Sequence, residues 1–171
     1  MAGNKIFDLT ASPGQLLHRA QQFASERFTA ATGGVEITQR QFAVLSALSE
    51  EDGQTQTQLV QRTGIDRSTL AELISRMTTK GLVSRERAPG DARANAVKLT
   101  DEGRALYKTA VDGATAADDA ILSVLPKNKR ANFVDALTRI SRALDPDTDA
   151  KGKKAEKKDG KDKKKKKKKK K

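Results

Sequence analysis

The chain has 171 residues, enough for one ordinary domain and an appendage, and its formal charge at neutral pH is +12. It has no cysteine and a single histidine, which excludes disulfides, thiol chemistry and a histidine metal cluster within one chain. The first residues have no apolar signal-peptide core and no segment is long enough to span a bilayer, so we expect a soluble, cytoplasmic protein without membrane contact.

The positive charge is concentrated at the C-terminal end. Residues 1–150 contain 19 Lys and Arg against 19 Asp and Glu, whereas residues 151–171 contain 15 Lys against three acids. A segment of that composition cannot bury an apolar core. We therefore predict a folded domain over residues 1–147, followed by a disordered lysine-rich tail over residues 148–171.

Capping signals predict four helices in the first half of the chain. Boxes of the form S/T-x-x-Q begin at Ser12, Thr38 and Thr55, and each precedes apolar residues at helical spacing. Asp66 can cap a fourth helix that ends at Gly81. The predicted buried stripe of that fourth helix consists of Leu70, Leu73, Ile74 and Met77.

A hairpin and two further helices are predicted in the second half. Two short strands, Leu82–Arg87 and Asn95–Leu99, flank a Pro89-Gly90 pair whose order fits a type II turn. Thr100 caps a long helix that Pro126 ends, and a last helix follows. The predicted fold is mainly α with a small β-hairpin wing.

The short third helix, the turn near Gly64, the fourth helix and the hairpin follow the order of a winged helix-turn-helix lobe. The second helix of such a unit lies in the major groove of DNA, with its N-terminal residues nearest the bases. Arginine reads guanine through two hydrogen bonds, and serine and threonine reach bases or phosphates. The candidate DNA-binding residues are Arg67, Ser68, Thr69, Glu72, Ser75 and Arg76. The alternative interpretation is an ordinary solvated helix face.

The hairpin tip carries Asp91 and Arg93, two residues apart. An arginine beside a groove-bound helix is well placed for the adjacent minor groove. An acid would repel phosphate, but it can accept hydrogen bonds from the guanidinium and hold it in one orientation. We interpret Asp91 as the brace of Arg93, and an ordinary surface ion pair is the alternative.

The segments "QFAVLSAL" (41–48), "LVQRTGIDRSTLAELISRMTTKGLVSR" (59–85) and "GDARANAVKLTDEGR" (90–104) resemble the MarR family of bacterial transcriptional regulators. The resemblance implies a homodimer on a pseudo-palindromic double-stranded DNA operator. It implies a DNA-binding lobe over about 38–100 and dimerisation helices over about 12–32 and 101–144. It makes Arg93 the minor-groove arginine with Asp91 as its partner, and it places Ser68 and Thr69 at contact positions. Glu72 departs from a position that is often basic or polar, so it either accepts from cytosine or holds Arg76.

The resemblance also implies a small-molecule effector, such as an aromatic acid, a phenol or its thioester, bound between the dimerisation helices and the DNA lobe. The candidate effector-binding residues are His18, Arg19, Gln22, Phe23, Phe28 and Phe42. The alternative for the three phenylalanines is plain core. The absence of cysteine excludes the cysteine-oxidation switch of some family members.

Two classes of DNA-binding function fit these features. The first is a dimeric sequence-specific regulator, a repressor released by its effector. The alternative is a sequence-tolerant architectural DNA-binding protein dominated by the lysine-rich tail. A regulator prefers its operator over other DNA by on the order of a thousandfold at fixed salt. One histidine, no cysteine and no Gly-rich phosphate loop argue against an enzyme, and we expect neither a cofactor nor a metal.

Overall fold

A computed structural model describes residues 7–88 and 91–143, with side chains over 7–86 and 96–143. The helices are α1 (Pro13–Ala31), α2 (Gln39–Glu50), α3 (Gln56–Thr63), α4 (Arg67–Thr79), α5 (Asp101–Ser123) and α6 (Lys127–Arg142), and the strands are β1 (Gln54–Thr55), β2 (Val83–Ala88) and β3 (Asp91–Leu99). This confirms the mainly helical fold with a small sheet. The Pro89-Gly90 turn and the predicted tail lie outside the described residues.

The core lies where α2, α3 and α4 meet the sheet. The predicted stripe of α4 is buried along its whole length, which confirms the helical periodicity. Its members pack with fully buried residues of α2, α3 and β3, among them Leu45, Leu48, Leu59 and Val97. Each fully buried aliphatic side chain contributes roughly 1.5–3 kcal/mol by removal from water. That burial fixes which face of α4 is left for solvent.

Two of the three predicted capping boxes are confirmed. In both, the threonine side chain (Thr38 or Thr55) accepts from the backbone N–H three residues on, and the glutamine there reaches back to the threonine N–H. The box at Ser12 is wrong, because its side chain makes no capping hydrogen bond. Pro13 starts α1 instead, since its ring fixes a helical φ and it has no N–H that needs a partner.

The sheet has three antiparallel strands in the order β1-β3-β2. Val83 of β2 pairs with Leu99, and the register shifts between Arg87 and Ala88. The prediction missed β1, whose two residues pair with Val97 and Ala96 of β3. It also began β3 four residues late, because pairing with β2 extends the strand beyond its alternating apolar part.

Two glycines of α5 allow close approaches that set its position. An added Cβ on Gly103 would lie 2.0 Å from the carbonyl oxygen of Leu82, before β2. An added Cβ on Gly113 would lie 2.7 Å from the carbonyl oxygen of Ala31, at the end of α1. The start of α5 therefore lies directly against the base of the wing, and its middle lies against α1.

Asp52 joins the turn after α2 to the base of the wing and to α5. Its Oδ1 accepts from the Leu99 N–H at 2.9 Å, and its Oδ2 accepts from Arg104 Nη2 at 2.7 Å. The sequence analysis did not identify this connection. It fixes the end of β3 and the first turn of α5 to the same carboxylate.

The chain divides into two compact units, and the boundary lies between Lys127 and Asn128. The second unit contains nearly all of α6. No residue of α6 is buried, and its apolar residues Val134, Leu137 and Ile140 are exposed. Among the described residues, no helix combines the length and the apolar character that crossing a bilayer requires.

Candidate nucleic-acid interface

The turn between α3 and α4 sets the direction of α4. Gly64 ends α3 in the left-handed conformation, with φ of 66°, and its N–H donates to the Val60 carbonyl. Asp66 then caps α4, because its Oδ1 accepts from the Thr69 N–H at 2.9 Å and from the Ser68 hydroxyl at 2.7 Å. Hydrogen bonds hold the pKa of the Asp66 carboxyl well below its ordinary value, and those from Thr69 contribute more than those from Ser68. The helix-turn-helix predicted from the sequence is confirmed as local structure.

The face of α4 opposite its buried stripe carries the predicted DNA contacts. Five of the six are exposed, namely Arg67, Ser68, Glu72, Ser75 and Arg76, and Thr69 is half-buried. The structure therefore brings all six onto the first turn and the outer side of one helix. An exposed capped helix with arginine and hydroxyl groups on its outer side is suited to a DNA groove.

Some of these side chains are held before any DNA arrives. Arg67 Nη2 donates to the Thr57 hydroxyl of α3 at 3.3 Å. The carboxylate of Glu72 lies 3.5 Å from Arg76 Nη1, one helical turn away. This geometry favours the interpretation in which Glu72 holds Arg76, although base contact by either residue stays a prediction.

The wing is described in its backbone and in its basal side chains. Asp91 begins β3 opposite Ala88, and the side chains of Asp91 and Arg93 lie outside the described residues. The proposed brace between them therefore stays a prediction. At the base, Lys98 Nζ donates to Glu86 Oε2 at 2.7 Å, and this hydrogen bond raises the pKa of Lys98.

Two of the candidate effector residues, Phe28 and Phe42, are in ring contact, with their planes tilted by 55°. The ring centroids of Phe28 and Phe42 lie 5.7 Å apart, and Phe42 stacks on Tyr107 at 5.6 Å. Sequence analysis missed Tyr107, which belongs to the periodic pattern of α5. A cavity of about 430 Å³ is lined by Phe28, Phe42 and small residues of α2 and α5, and its larger polar members are Gln39, Glu50, Arg62, Thr63 and Asp118. We call it the aromatic cavity.

The other candidate effector residues lie elsewhere on α1. His18, Arg19 and Gln22 are exposed and line neither the aromatic cavity nor the second cavity below. Phe23 is half-buried, with the Arg27 guanidinium 5.1 Å from its ring centroid. The structure thus separates the predicted set into two phenylalanines at a cavity and four residues away from it.

A second cavity, of about 840 Å³, extends from α1 and the start of α2 to α4. We call it the α4 cavity. Its basic lining residues are Arg40, Arg76 and Lys80, and its lining includes one acid, Glu36. Thr69, a predicted DNA contact like Arg76, also lines it.

Comparison with known proteins also indicates a DNA-binding protein with a winged helix-turn-helix lobe. A protein-family model described as the MarR family matches residues 35–94. The regulator PcaV from Streptomyces coelicolor, solved with its natural ligand, is 34% identical, with a TM-score of 0.75 over 82% of this chain and 99% of that one. The chain belongs to the MarR family. Membership makes this protein a DNA-binding transcriptional regulator and agrees with the expectation that it is not an enzyme.

Two further solved structures to which the chain is similar are also of DNA-binding regulators. BpsR from Bordetella bronchiseptica, whose DNA binding is regulated by 6-hydroxynicotinic acid, is 29% identical with a TM-score of 0.74, over 80% of this chain and 97% of that one. The transcriptional repressor CouR, bound to a 23-mer DNA duplex, is 32% identical with a TM-score of 0.69, over 78% and 95%.

Proposed function

We propose that this MarR-family regulator is a homodimeric repressor that binds a pseudo-palindromic operator and releases it when an aromatic effector binds. The observation that carries the proposal is the capped, outward-facing α4, with its arginine and hydroxyl groups exposed beside a hairpin wing. In this proposal, bases or phosphates are contacted by Arg67, Ser68, Thr69, Ser75 and Arg76. Glu72 orients Arg76. Arg93 enters the minor groove, and Asp91 holds its guanidinium in place.

Exposed apolar residues near both ends of the described chain support a dimer. Leu16 and Leu17 on α1 are 52% and 40% exposed, and Val134 and Ile140 on α6 are 48% and 53% exposed. Soluble proteins rarely leave such clusters uncovered unless a partner covers them. A second copy of the chain is the partner that a palindromic operator requires, because operator symmetry mirrors protein symmetry.

The aromatic cavity supports the effector. Two aromatic rings line it, Phe28 and Phe42, and a flat aromatic group can contact them by an edge or by a face, which contributes beyond burial alone. Arg62 reaches its wall, where it pairs with Glu50 and lies 3.2 Å from Glu51. An effector carboxylate competes with these acids for the guanidinium. The roles of His18, Arg19, Gln22 and Phe23 in effector binding rest on the family resemblance.

The experiment that tests this function has two arms. Operator binding is measured at fixed salt against unrelated duplex DNA, and we expect a ratio on the order of a thousandfold or more. Aromatic acids are then screened by thermal shift, because a ligand that binds only the folded state raises its stability. A hit is expected to lower operator affinity, since coupling between two binding sites is reciprocal. A ratio near one would support the architectural alternative instead.

A further inference from the structure

Charged side chains of alternating sign connect the wing to α5 at the base of the sheet. Lys98 of β3 donates from Nζ to Glu86 Oε2 of β2 at 2.7 Å. The bond to Glu86 raises the pKa of Lys98 most, and the negative charge of Asp52 raises it further, so Lys98 lies within the field of both acids. Asp52 in turn accepts from Arg104 Nη2 of α5 at 2.7 Å. We call these four residues the wing-base network.

Asp52 is the member of the wing-base network that also binds the backbone of β3. Its Oδ1 accepts from the N–H of Leu99, the last residue of the strand, at 2.9 Å. Two residues further on, Gln54 of β1 pairs with Val97, so Asp52 lies beside the strand that it bonds. The same carboxylate therefore holds together the end of β3, the turn after α2 and the first turn of α5. The direction in which β3 leaves α5 is set at this junction.

The length of β3 makes the position of Arg93 sensitive to the direction of the strand. At about 3.3 Å per residue, the strand runs about 20 Å from Leu99 back to Arg93. A rotation of about 10° at Leu99 would displace the backbone of Arg93 by about 3.5 Å at that reach. The donor–acceptor distance of an N–H hydrogen bond varies only between about 2.7 and 3.2 Å. A minor-groove contact by Arg93 therefore depends on how firmly the base of the wing is held.

We propose that Asp52 is a positioning residue for DNA binding, which holds β3 against α5 so that Arg93 can enter the minor groove. Arg104 is its partner in this role, because it supplies the contact from α5. The inference rests on the proposed function and deepens it, since it makes the wing contact depend on a residue at the opposite end of β3.

The alternative is an exposed ion pair without effect on DNA binding. The side chains of Asp52 and Arg104 are 35% and 46% exposed, and ion pairs at such positions contribute little to stability. The two interpretations differ in the sign of the effect when the charge of Asp52 is removed. Loss of a negative charge strengthens DNA binding through electrostatics alone, whereas loss of a positioning contact weakens it.

The test measures the affinity of the full chain for a DNA duplex that the parent protein enriches from a random-sequence pool. Asp52→Asn keeps an oxygen that can accept from the Leu99 N–H, but its amide nitrogen cannot accept from Arg104. We expect this variant to bind the enriched duplex about fivefold more weakly than the parent. Asp101→Asn is the matched control, because it removes the same charge from an exposed residue in the first turn of α5, and we expect no weakening.

The same substitution in an Arg93→Ala background separates positioning from structural damage. Once the wing contact has been removed, we expect Asp52→Asn to cause no further loss of affinity, because the two substitutions act on one contact. Thermal midpoints show whether each variant is folded. If Asp52→Asn does not fold, Arg104→Met takes its place in the comparison, since it removes the other half of the pair.

The outcomes separate this inference from the function on which it rests. A loss of affinity in Asp52→Asn that disappears without Arg93 supports the positioning role. If Asp52→Asn binds as tightly as Asp101→Asn, or loses the same factor with and without Arg93, the positioning role is overturned. Weaker binding by Arg93→Ala would then leave the proposed wing contact standing. If Arg93→Ala itself binds as tightly as the parent, the wing contact and the positioning role are both overturned.

Discussion

Arg93 is the single residue on which the proposed wing contact depends. Arg93→Ala is expected to weaken operator binding by about 1–3 kcal/mol with the fold intact, because it removes a DNA contact. Asp91→Ala is expected to cost less, since the guanidinium remains but loses its orienting acceptor. Fluorescence anisotropy at one salt concentration measures both, with Arg27→Ala on α1 as the control. Equal affinity of Arg93→Ala and the parent would remove the wing from the mechanism.

Asp66 makes the start of α4 sensitive to acid. Its folded-state pKa is depressed from 3.8 by hydrogen bonds from Thr69 and Ser68, so folding favours the ionised carboxylate. The stabilisation is therefore complete above the unfolded-state pKa and is lost as the pH falls towards the folded-state value. Asp66→Asn keeps a capping acceptor that does not titrate.

We expect the thermal midpoint of Asp66→Asn to fall less than that of the parent between neutral pH and about pH 3. The comparison between the two proteins cancels the acid response of every other carboxylate. Parallel midpoint curves would show that the cap carboxylate has no part in acid sensitivity.

Side-chain contacts were predictable where they are local. The caps at Thr38, Thr55 and Asp66 join residues at most three positions apart, so the sequence shows donor and acceptor together. Asp52 instead reaches partners 47 and 52 positions away, Leu99 and Arg104. No spacing pattern predicts such a pair, because it exists only once β3 and α5 have been placed by packing.

At the scale of whole elements, the substitution Gly103→Ala tests how closely α5 packs against the base of the wing. Alanine normally favours a helix over glycine by up to about 1 kcal/mol. Here its Cβ would lie 2.0 Å from the Leu82 carbonyl oxygen, so the backbone must shift. Overpacking of this kind costs typically about 1–3 kcal/mol, and we expect a net loss of stability.

Urea unfolding of Gly103→Ala measures that loss, and Gly14→Ala in the first turn of α1 is the control. Nothing lies within 4 Å of a Cβ at Gly14, so this variant is expected to match the parent or to gain slightly. A Gly103→Ala protein as stable as the parent would mean that α5 tolerates displacement from β2.

A helix or strand was predictable from the sequence where its own apolar residues repeat at helical or strand spacing. The stripe of α4 repeats at helical spacing and was foreseen residue by residue. β1 has only two residues and is defined by its partners Val97 and Ala96, so it has no period of its own. The two cavities arise from side chains of several helices, which explains why the α1 candidates His18 and Arg19 were grouped with Phe28 and Phe42.

The dimer belongs to the scale of the whole molecule. Light scattering is expected to give twice the chain mass, because α1 and α6 leave apolar residues uncovered in a single chain. Ile140→Glu, at a residue 53% exposed, is expected to shift the mass towards the monomer. Ser141→Glu, the neighbouring exposed polar position, adds the same charge and is expected to leave the dimer intact. A monomeric parent would contradict both the dimer and the palindromic operator.

The division of charge along the whole chain predicts separate roles for its two parts. Residues 1–150 have balanced charge, and we expect discrimination between DNA sequences to depend on α4 and the wing. Residues 151–171 hold 15 Lys and no aromatic or amide side chain to recognise a base. We expect this segment to add affinity without specificity, because neutralised phosphates release counterions from any sequence.

Truncation after Ala150 measures the contribution of the lysine-rich segment through salt dependence. Each phosphate contact adds about −0.9 to the slope of log K against log salt on duplex DNA. If a third of the lysines make contact, truncation flattens the slope by roughly four units. Operator and unrelated DNA are expected to weaken together, with their ratio nearly constant. An unchanged slope would mean that the segment does not contact DNA. A large fall in the ratio of operator affinity to unrelated-DNA affinity would mean that α4 and the wing do not discriminate between sequences.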